Sequence, residues 1–181
     1  MTSRRNFIRS GGLAIAGSVV PGIVRATGVV DIQMRSSPRG EDAWFDPLGI
    51  RIEPGQRVRW IMASPGNPHT TTAYHPHNAR HSLRIPEAAV PWDSGFLVNA
   101  RDTFEITLTV EGVYDYFCLP HEAAGMVGRI VVGRPGGPGA LPFDYFAGRP
   151  ATENWLPVPE AARTAFPSVA SIVAARIVRR R

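Results

Sequence analysis

Along residues 104–110 apolar and polar side chains alternate strictly, with Phe104, Ile106, Leu108 and Val110 on one face and Glu105, Thr107 and Thr109 on the other. That period of two is the side-chain repeat of a strand with one buried face. The same repeat runs through residues 57–61, where Val58 and Trp60 oppose Arg57 and Arg59. Shorter runs rich in β-branched and aromatic residues occupy 29–34, 50–52, 69–73, 114–118 and 127–132, and Phe45-Asp46-Pro47 leads into the second of them. Pro54-Gly55 and Glu111-Gly112 supply turns, while residues 74–100 show no regular period and are broken by Pro and Gly. About seven short strands separated by turns predict an all-β fold, a Greek-key β-sandwich ending near Gly133.

Beyond Gly133 the pattern changes. Arg134-Pro135-Gly136-Gly137-Pro138-Gly139 has the composition of a linker. Pro159-Glu160-Ala161-Ala162 suits the start of a helix, and Val169, Ile172, Val173 and Ile177 recur at helical spacing in a second one expected over 168–181. The sandwich is therefore expected to carry a C-terminal extension that is partly helical. At the other end, Arg4-Arg5 is followed by Phe7 and Ile8, a weakly apolar run over 11–24, and small residues up to Ala26. This segment resembles a twin-arginine export signal, and its apolar run is too short for the ~20 residues of a spanning helix. The expected organisation is a signal peptide over 1–26, a β-domain over 27–133, and a linker with a helical basic tail over 134–181.

Charge refines this division. All 20 basic residues are Arg, and the net charge is +5. Residues 27–133 hold 9 Arg and 12 acids, or −3, while residues 134–181 hold 7 Arg and 3 acids, or +4. A mildly acidic domain with a basic tail gives no footprint for nucleic acid. The tail stripe is short, so a structural extension packed on the sandwich is favoured over a basic handle for an anionic membrane surface or an acidic partner.

Candidate chemistry is concentrated in Cys118-Leu119-Pro120-His121-Glu122-Ala123-Ala124-Gly125-Met126, a C-x2-H-x4-M sequence between two expected strands. Cys118 is the chain's one cysteine, so an exported protein would carry it unpaired. A thiolate, imidazoles and a weak axial thioether suit a trigonal copper site for electron transfer. One tight loop can supply Cys118, His121 and Met126, whereas the second imidazole must come from another strand. His69 is the candidate, opening the Thr-rich run after Pro65-Gly66-Asn67-Pro68, with His75 as the fallback. His75, His77 and His81 would otherwise form a polar surface loop, a second metal site being the less favoured reading. Trp60 and Trp92 read as core, and Trp92-Asp93-Ser94-Gly95 as the closure of the long loop.

The segment from Cys118 to Gly133, together with residues 50–60 and His69-Thr70-Thr71, resembles the cupredoxins, specifically plastocyanins and halocyanin-like blue copper proteins. The likeness covers residues 29–133 and implies one type 1 copper held by His69, Cys118, His121 and Met126, with Met126 as the long axial ligand. It also implies that the Thr70 N–H bonds the Cys118 sulfur, and that Leu119, Pro120, Ala123 and Ala124 ring the edge of His121 where transient redox partners dock. The function so implied is that of a monomeric, periplasmic or otherwise extracytoplasmic electron carrier and not an enzyme. The alternatives are copper delivery or storage, or an accessory domain of a copper redox enzyme. Multicopper oxidases and nitrite reductases need further copper sites and domains, and delivery proteins favour open Met- or His-rich sites. Where plastocyanins often carry a Tyr before the ligand Cys as a remote electron-entry point, this chain has Phe117.

Overall fold

The computed structural model describes residues 28–180. The expected export signal lies outside the described residues. Two sheets face one another. The first has strand order β2-β1-β4-β6, from β1 (Val29–Ser36), β2 (Ala43–Asp46), β4 (Gln56–Met62) and β6 (Thr103–Leu108). The second has order β5-β7-β8-β3-β9, from β3 (Gly49–Ile52), β5 (Thr72–Ala73), β7 (Gly112–Phe117), β8 (Val127–Val132) and β9 (Ile177–Val178). β1 runs parallel to β4 and β3 parallel to β8, and the other neighbours are antiparallel. This is the predicted β-sandwich with a partly helical extension.

Alternation decides which side chains enter the core. Val58, Trp60 and Met62 of β4 are buried, while Arg57 and Arg59 turn outward to Glu105 and Asp31. Ile32 and Met34 of β1 meet Ile50, Ile52, Tyr114, Tyr116, Ile130 and Val132 from the other sheet in one continuous cluster. Trp60 sits at its centre, with ring centroids 5.3 Å from Tyr116 and 5.7 Å from Trp92. Offset and edge-on contacts of this kind add about 0.5–1.5 kcal/mol each beyond the area they bury.

β7 and β8 depart from the one-sided pattern, because every residue of both strands is buried. The C-terminal segment supplies the second cover. Helix α1 (Glu160–Ala165) and the chain around it place Val158, Ala162, Phe143 and Phe166 over Tyr74, Phe117 and Val127. Helix α2 (Val169–Ala175) lays Ile172 over Val113 and Val131. Ser168 caps α2, its Oγ accepting from Ser171 N at 3.0 Å.

Two expectations for this segment are corrected. The glycine-rich stretch over 134–139 is a strap bound along the sandwich. Val113 N donates to the Gly136 carbonyl at 3.0 Å, and Pro138 and Gly139 are buried. A Cβ at Gly139 would lie 2.4 Å from the Val113 carbonyl oxygen, so glycine serves close approach here and not flexibility. The second helix, expected to run to 181, stops at Ala175. Arg176 adopts φ of +62°, and its carbonyl accepts from Arg51 N at 2.7 Å, which redirects Ile177 and Val178 into β9 at the sheet edge. The arginines flanking β9 pair with domain acids: Arg176 with Glu53, Arg179 with Asp46 and Arg180 with Asp42.

A buried ion triad ties strap, helices and sheet together. Asp115 of β7 is fully buried and accepts from Arg84 Nε at 3.0 Å and from Arg129 Nε at 2.7 Å. Arg84 also donates to the carbonyls of Gly139, Leu141 and Pro142, and Arg129 to that of Pro167. Phe143 lies under the Arg84 guanidinium at 4.3 Å and Phe166 under that of Arg129 at 4.8 Å. Two cations on one anion would be costly to bury, but the carbonyl acceptors and ring faces satisfy the remaining donors.

Candidate metal centre

At one end of the sandwich β7 leads into a 3₁₀ turn (Leu119–Ala124), and Gly125 then returns the chain to β8. Pro120 fixes the start of the turn, and Gly125, at φ of +86°, ends it in the left-handed region that a side chain would resist. Backbone bonds close the loop: His121 N to Cys118 O, Met126 N to His121 O, and Cys118 N to Met126 O, all between 3.0 and 3.1 Å. The C-x2-H-x4-M loop thus folds back on itself and brings Cys118 and His121 together, with Met126 fully buried at the foot of the loop.

The other imidazole comes from the opposite wall. His69 forms an isolated bridge with Leu97, the two exchanging backbone bonds of 3.1 and 2.8 Å. The Thr-rich strand is shorter than expected, and only Thr72–Ala73 pairs regularly with β7. His69 Nδ1 lies 3.5 Å from Cys118 Sγ, and His121 Nδ1 lies 3.3 Å from the same atom. Ligand atoms of His69, Cys118 and His121 all fall within 4.8 Å of one another. Among the described residues no other group of three such donors forms, and His75 stands apart from this one, its ring beside that of His77.

The polar surroundings fix each donor. His69 Nε2 meets Ser36 Oγ at 2.9 Å, and Asn67 Nδ2 donates to the same hydroxyl at 3.1 Å. A proton on Nε2, donated to Ser36 Oγ, leaves the Nδ1 lone pair facing the sulfur, the tautomer that a metal held at Nδ1 requires. Thr70 N donates to Cys118 Sγ at 3.4 Å, the contact that the family resemblance implied. A relay of hydroxyls supports the loop from beneath. Leu119 N donates to Thr70 Oγ1, Thr70 Oγ1 meets Thr72 Oγ1 at 2.9 Å, and Thr72 Oγ1 donates to Asp93. Since Thr72 gives its proton to the carboxylate, Thr70 is the donor in the middle bond.

Electrostatics prepare these atoms for a cation. Burial, followed by the charge of neighbouring His121, lowers His69 to about 4, and burial lowers His121 as well, so both rings are neutral with free lone pairs. Burial pushes the Cys118 thiol up to about 12 against the pull of the Thr70 N–H, so a metal must displace its proton on binding. A soft sulfur and two imidazole nitrogens within 4.8 Å of one another form a donor set that suits copper. The residues present therefore fit that ion.

The rest of the neighbourhood was hidden in the sequence. Ser36 and Asn67 lie 33 and 2 positions from the histidine they orient, and Asp93 reaches the loop only through two threonines. Trp92-Asp93-Ser94-Gly95 does close the long loop, since Ala73 N donates to Trp92 O and Ser94 N to Thr71 O. His81 is drawn away from His75 and His77 to bond Glu122 at 2.9 Å.

Known proteins match on the same ground. A sequence model of the family described as copper binding proteins, plastocyanin/azurin family, matches residues 32–133. Halocyanin of Natronomonas pharaonis is 33% identical over 88 residues, covering 49% of this chain and 47% of its own. The major plastocyanin isoform of Arabidopsis thaliana is 39% identical over 94 residues, covering 49% of this chain and 51% of its own. The chain thus spans about half the length of these curated relatives. A Sinorhizobium pseudoazurin structure superposes with a TM-score of 0.51 at 25% identity, covering 76% of this chain and 89% of its own. Fold, donor cluster and matched residues agree, and the chain belongs to the plastocyanin/azurin family of copper-binding proteins, the cupredoxins.

Proposed function

We propose that the protein is an exported, single-copper electron carrier. The observation that carries this reading is the convergence of two imidazole Nδ1 atoms on one buried thiol, beneath a loop that reaches the surface. Cys118, His69 and His121 would hold the ion in a trigonal set, with Met126 as the weak axial donor. Copper there would take up and release one electron. The protein's part is to hold the donors still: His69 through Ser36, the thiol through Thr70, and the loop through the Thr70–Thr72–Asp93 relay. A rigid donor set keeps the geometric change between the two oxidation states small, which favours fast transfer.

His121 is half-buried among the exposed Leu119, Pro120, Ala123 and Ala124. That apolar rim suits brief docking of redox partners over an interface below about 1,200 Å². A compact donor set, with His69 and Cys118 buried and His121 half-buried, supports electron transfer over copper delivery or storage.

The upstream ligand gives the direct test. His69→Ala should abolish the visible absorption of the oxidised copper protein, while His75→Ala should leave the spectrum intact. Bleaching by His75→Ala alone would transfer the assignment to that residue.

The same reading includes export and a three-part chain, with residues 1–26 as leader, 27–133 as copper domain and 134–181 as an extension built onto it. The pair Arg4-Arg5 followed by Phe7 supports a twin-arginine route to a periplasmic or other extracytoplasmic location. Replacing both arginines by lysine should leave the uncleaved precursor in the cytoplasm. Undiminished export would assign the leader to the Sec route.

A further inference from the structure

Glu122 follows His121 in the 3₁₀ turn, yet its side chain points inward and is only 13% exposed. Its two oxygens have different partners. Tyr74, fully buried, donates its phenol to Oε1 at 2.7 Å, and His81 Nε2 lies 2.9 Å from Oε2. The other nitrogen of His81, Nδ1, lies 3.0 Å from the carbonyl oxygen of Asn78. A carbonyl only accepts, so Nδ1 carries a proton, and a further proton is shared across the 2.9 Å contact between Nε2 and Oε2. With that proton on the ring, as the raised pKa of His81 favours, the pair is an imidazolium and a carboxylate; His81 is 6% exposed and stacked on Phe117 at a centroid distance of 4.4 Å.

The pair is built into the fold from several sides. Backbone bonds from Ser82 N to Leu156 O and from Leu156 N to Arg80 O clamp the His81 segment to the C-terminal extension. Phe166 packs against Tyr74 with ring centroids 6.0 Å apart. The Glu122 carbonyl accepts from Gly125 N, and the adjacent His121 carbonyl accepts from Met126 N, so the backbone of the turn is tied at both residues. None of this is required by the donor set itself, since Glu122 touches no ligand atom.

We propose that the Glu122–His81 ion pair, completed by Tyr74, is a latch that positions the ligand loop and thereby governs how firmly His121 and Met126 hold the ion. The proposal rests on the copper reading of the site. Glu122 is a positioning residue that acts through its chain neighbour His121. His69 and Cys118 are anchored separately by Ser36 and Thr70, so loss of the latch loosens one side of the site and not the other. Outer-shell partners of this kind orient the ligands they support.

The pair also makes the site sensitive to pH. The groups that face His81 are Glu122 from the turn, Tyr74 from just past β5 and the Asn78 carbonyl, and Tyr74 is in turn close enough to feel Asp115 and Arg84. Burial opposes the His81 cation, but bonding and charge from Glu122 outweigh it and raise its pKa above 6.5. A raised folded-state pKa means the latch is complete below the ordinary value and is lost as pH climbs through the folded one. The uncompensated Glu122 anion then favours Cu(II), so the reduction potential falls with rising pH.

The test uses the full mature chain. In the metal-free protein, ¹⁵N NMR of the His81 ring should show both nitrogens protonated at neutral pH. In the copper-loaded protein, Glu122→Gln and His81→Gln should both fold and show the visible band, yet hold copper about 10–100-fold more weakly in competition with a chelator. His77→Gln, an exposed control, should match the parent. The alkaline fall in reduction potential should vanish in His81→Gln. A neutral His81 ring in the parent, or copper affinities within about twofold of the parent in both variants, overturns the latch; should one variant fail to fold, the ring nitrogens and the other variant decide. A parent protein without a visible band overturns the copper reading instead, and the His81 ring still decides whether the charged pair exists.

Discussion

Serine in place of Cys118 should give a folded protein that stays colourless with copper. The substitution removes one heavy-atom type and little volume from a site buried at 0% exposure, and Thr70 N–H keeps an oxygen to donate to, so the sandwich has no reason to fail. The chemistry changes completely. Serine does not ionise in the accessible pH range, so the two neutral imidazoles lose the one anionic donor that faces them. The intense visible band of a copper–thiolate bond cannot form without the sulfur. Copper affinity should fall by more than the roughly 10–100-fold typical of losing an outer-shell partner. Visible absorption, metal content and far-UV circular dichroism on the same sample separate loss of site from loss of fold. A Cys118→Ser protein as blue as the parent would sink the assignment.

The second large effect is expected on stability. Ending the chain after Gly133 should lower the melting temperature by about 10 °C or more, since each kcal/mol is worth about 2–4 °C at this size. The cut uncovers Val113, Phe117, Val127 and Val131, all buried on the outer face of β7 and β8. Burying an aliphatic or aromatic side chain of this class is worth about 1.5–3 kcal/mol. It also strips Arg84 of its carbonyl acceptors at Gly139, Leu141 and Pro142, and Arg129 of that at Pro167. The triad around Asp115 would then face water on one side and lack acceptors on the other. No donor of the proposed site lies beyond Gly133, so the fraction that folds should keep the visible band. Calorimetry of the two copper-loaded forms decides, and an unchanged melting temperature would show that the extension adds nothing.

The strands were legible because their signal is local. The two-residue period of Phe104 to Val110, and the opposition of Trp60 to Arg59, need no tertiary partner to be read. The loop from Cys118 to Met126 was legible for the same reason, since three donors fall within nine positions. What stayed hidden depends on distant pairing. Asp115 sits in a run that reads as an ordinary strand with a solvent-facing acid, and nothing near it announces two arginines, 31 and 14 positions away, closing over it. The glycines of the strap carry one composition for two opposite uses, slack chain and tight packing, and only the surface beneath them distinguishes the two. Glu122 likewise looks like a loop carboxylate until Tyr74 and His81, 48 and 41 positions earlier, come into place.

The position of β9 has a consequence for how the molecule is made. Ile177 and Val178 pair with Ile50 and Gly49, and β3 in turn pairs with β8 about 80 residues downstream, so both neighbours of β3 in the five-stranded sheet come from far along the chain. Contacts of such long sequence separation close slowly. Until β8 and β9 dock, β3 has no neighbour on either side, and its apolar Ile50 and Ile52 are open to wrong partners. The opportunity to misassemble therefore lies in that interval and not in the finished sandwich.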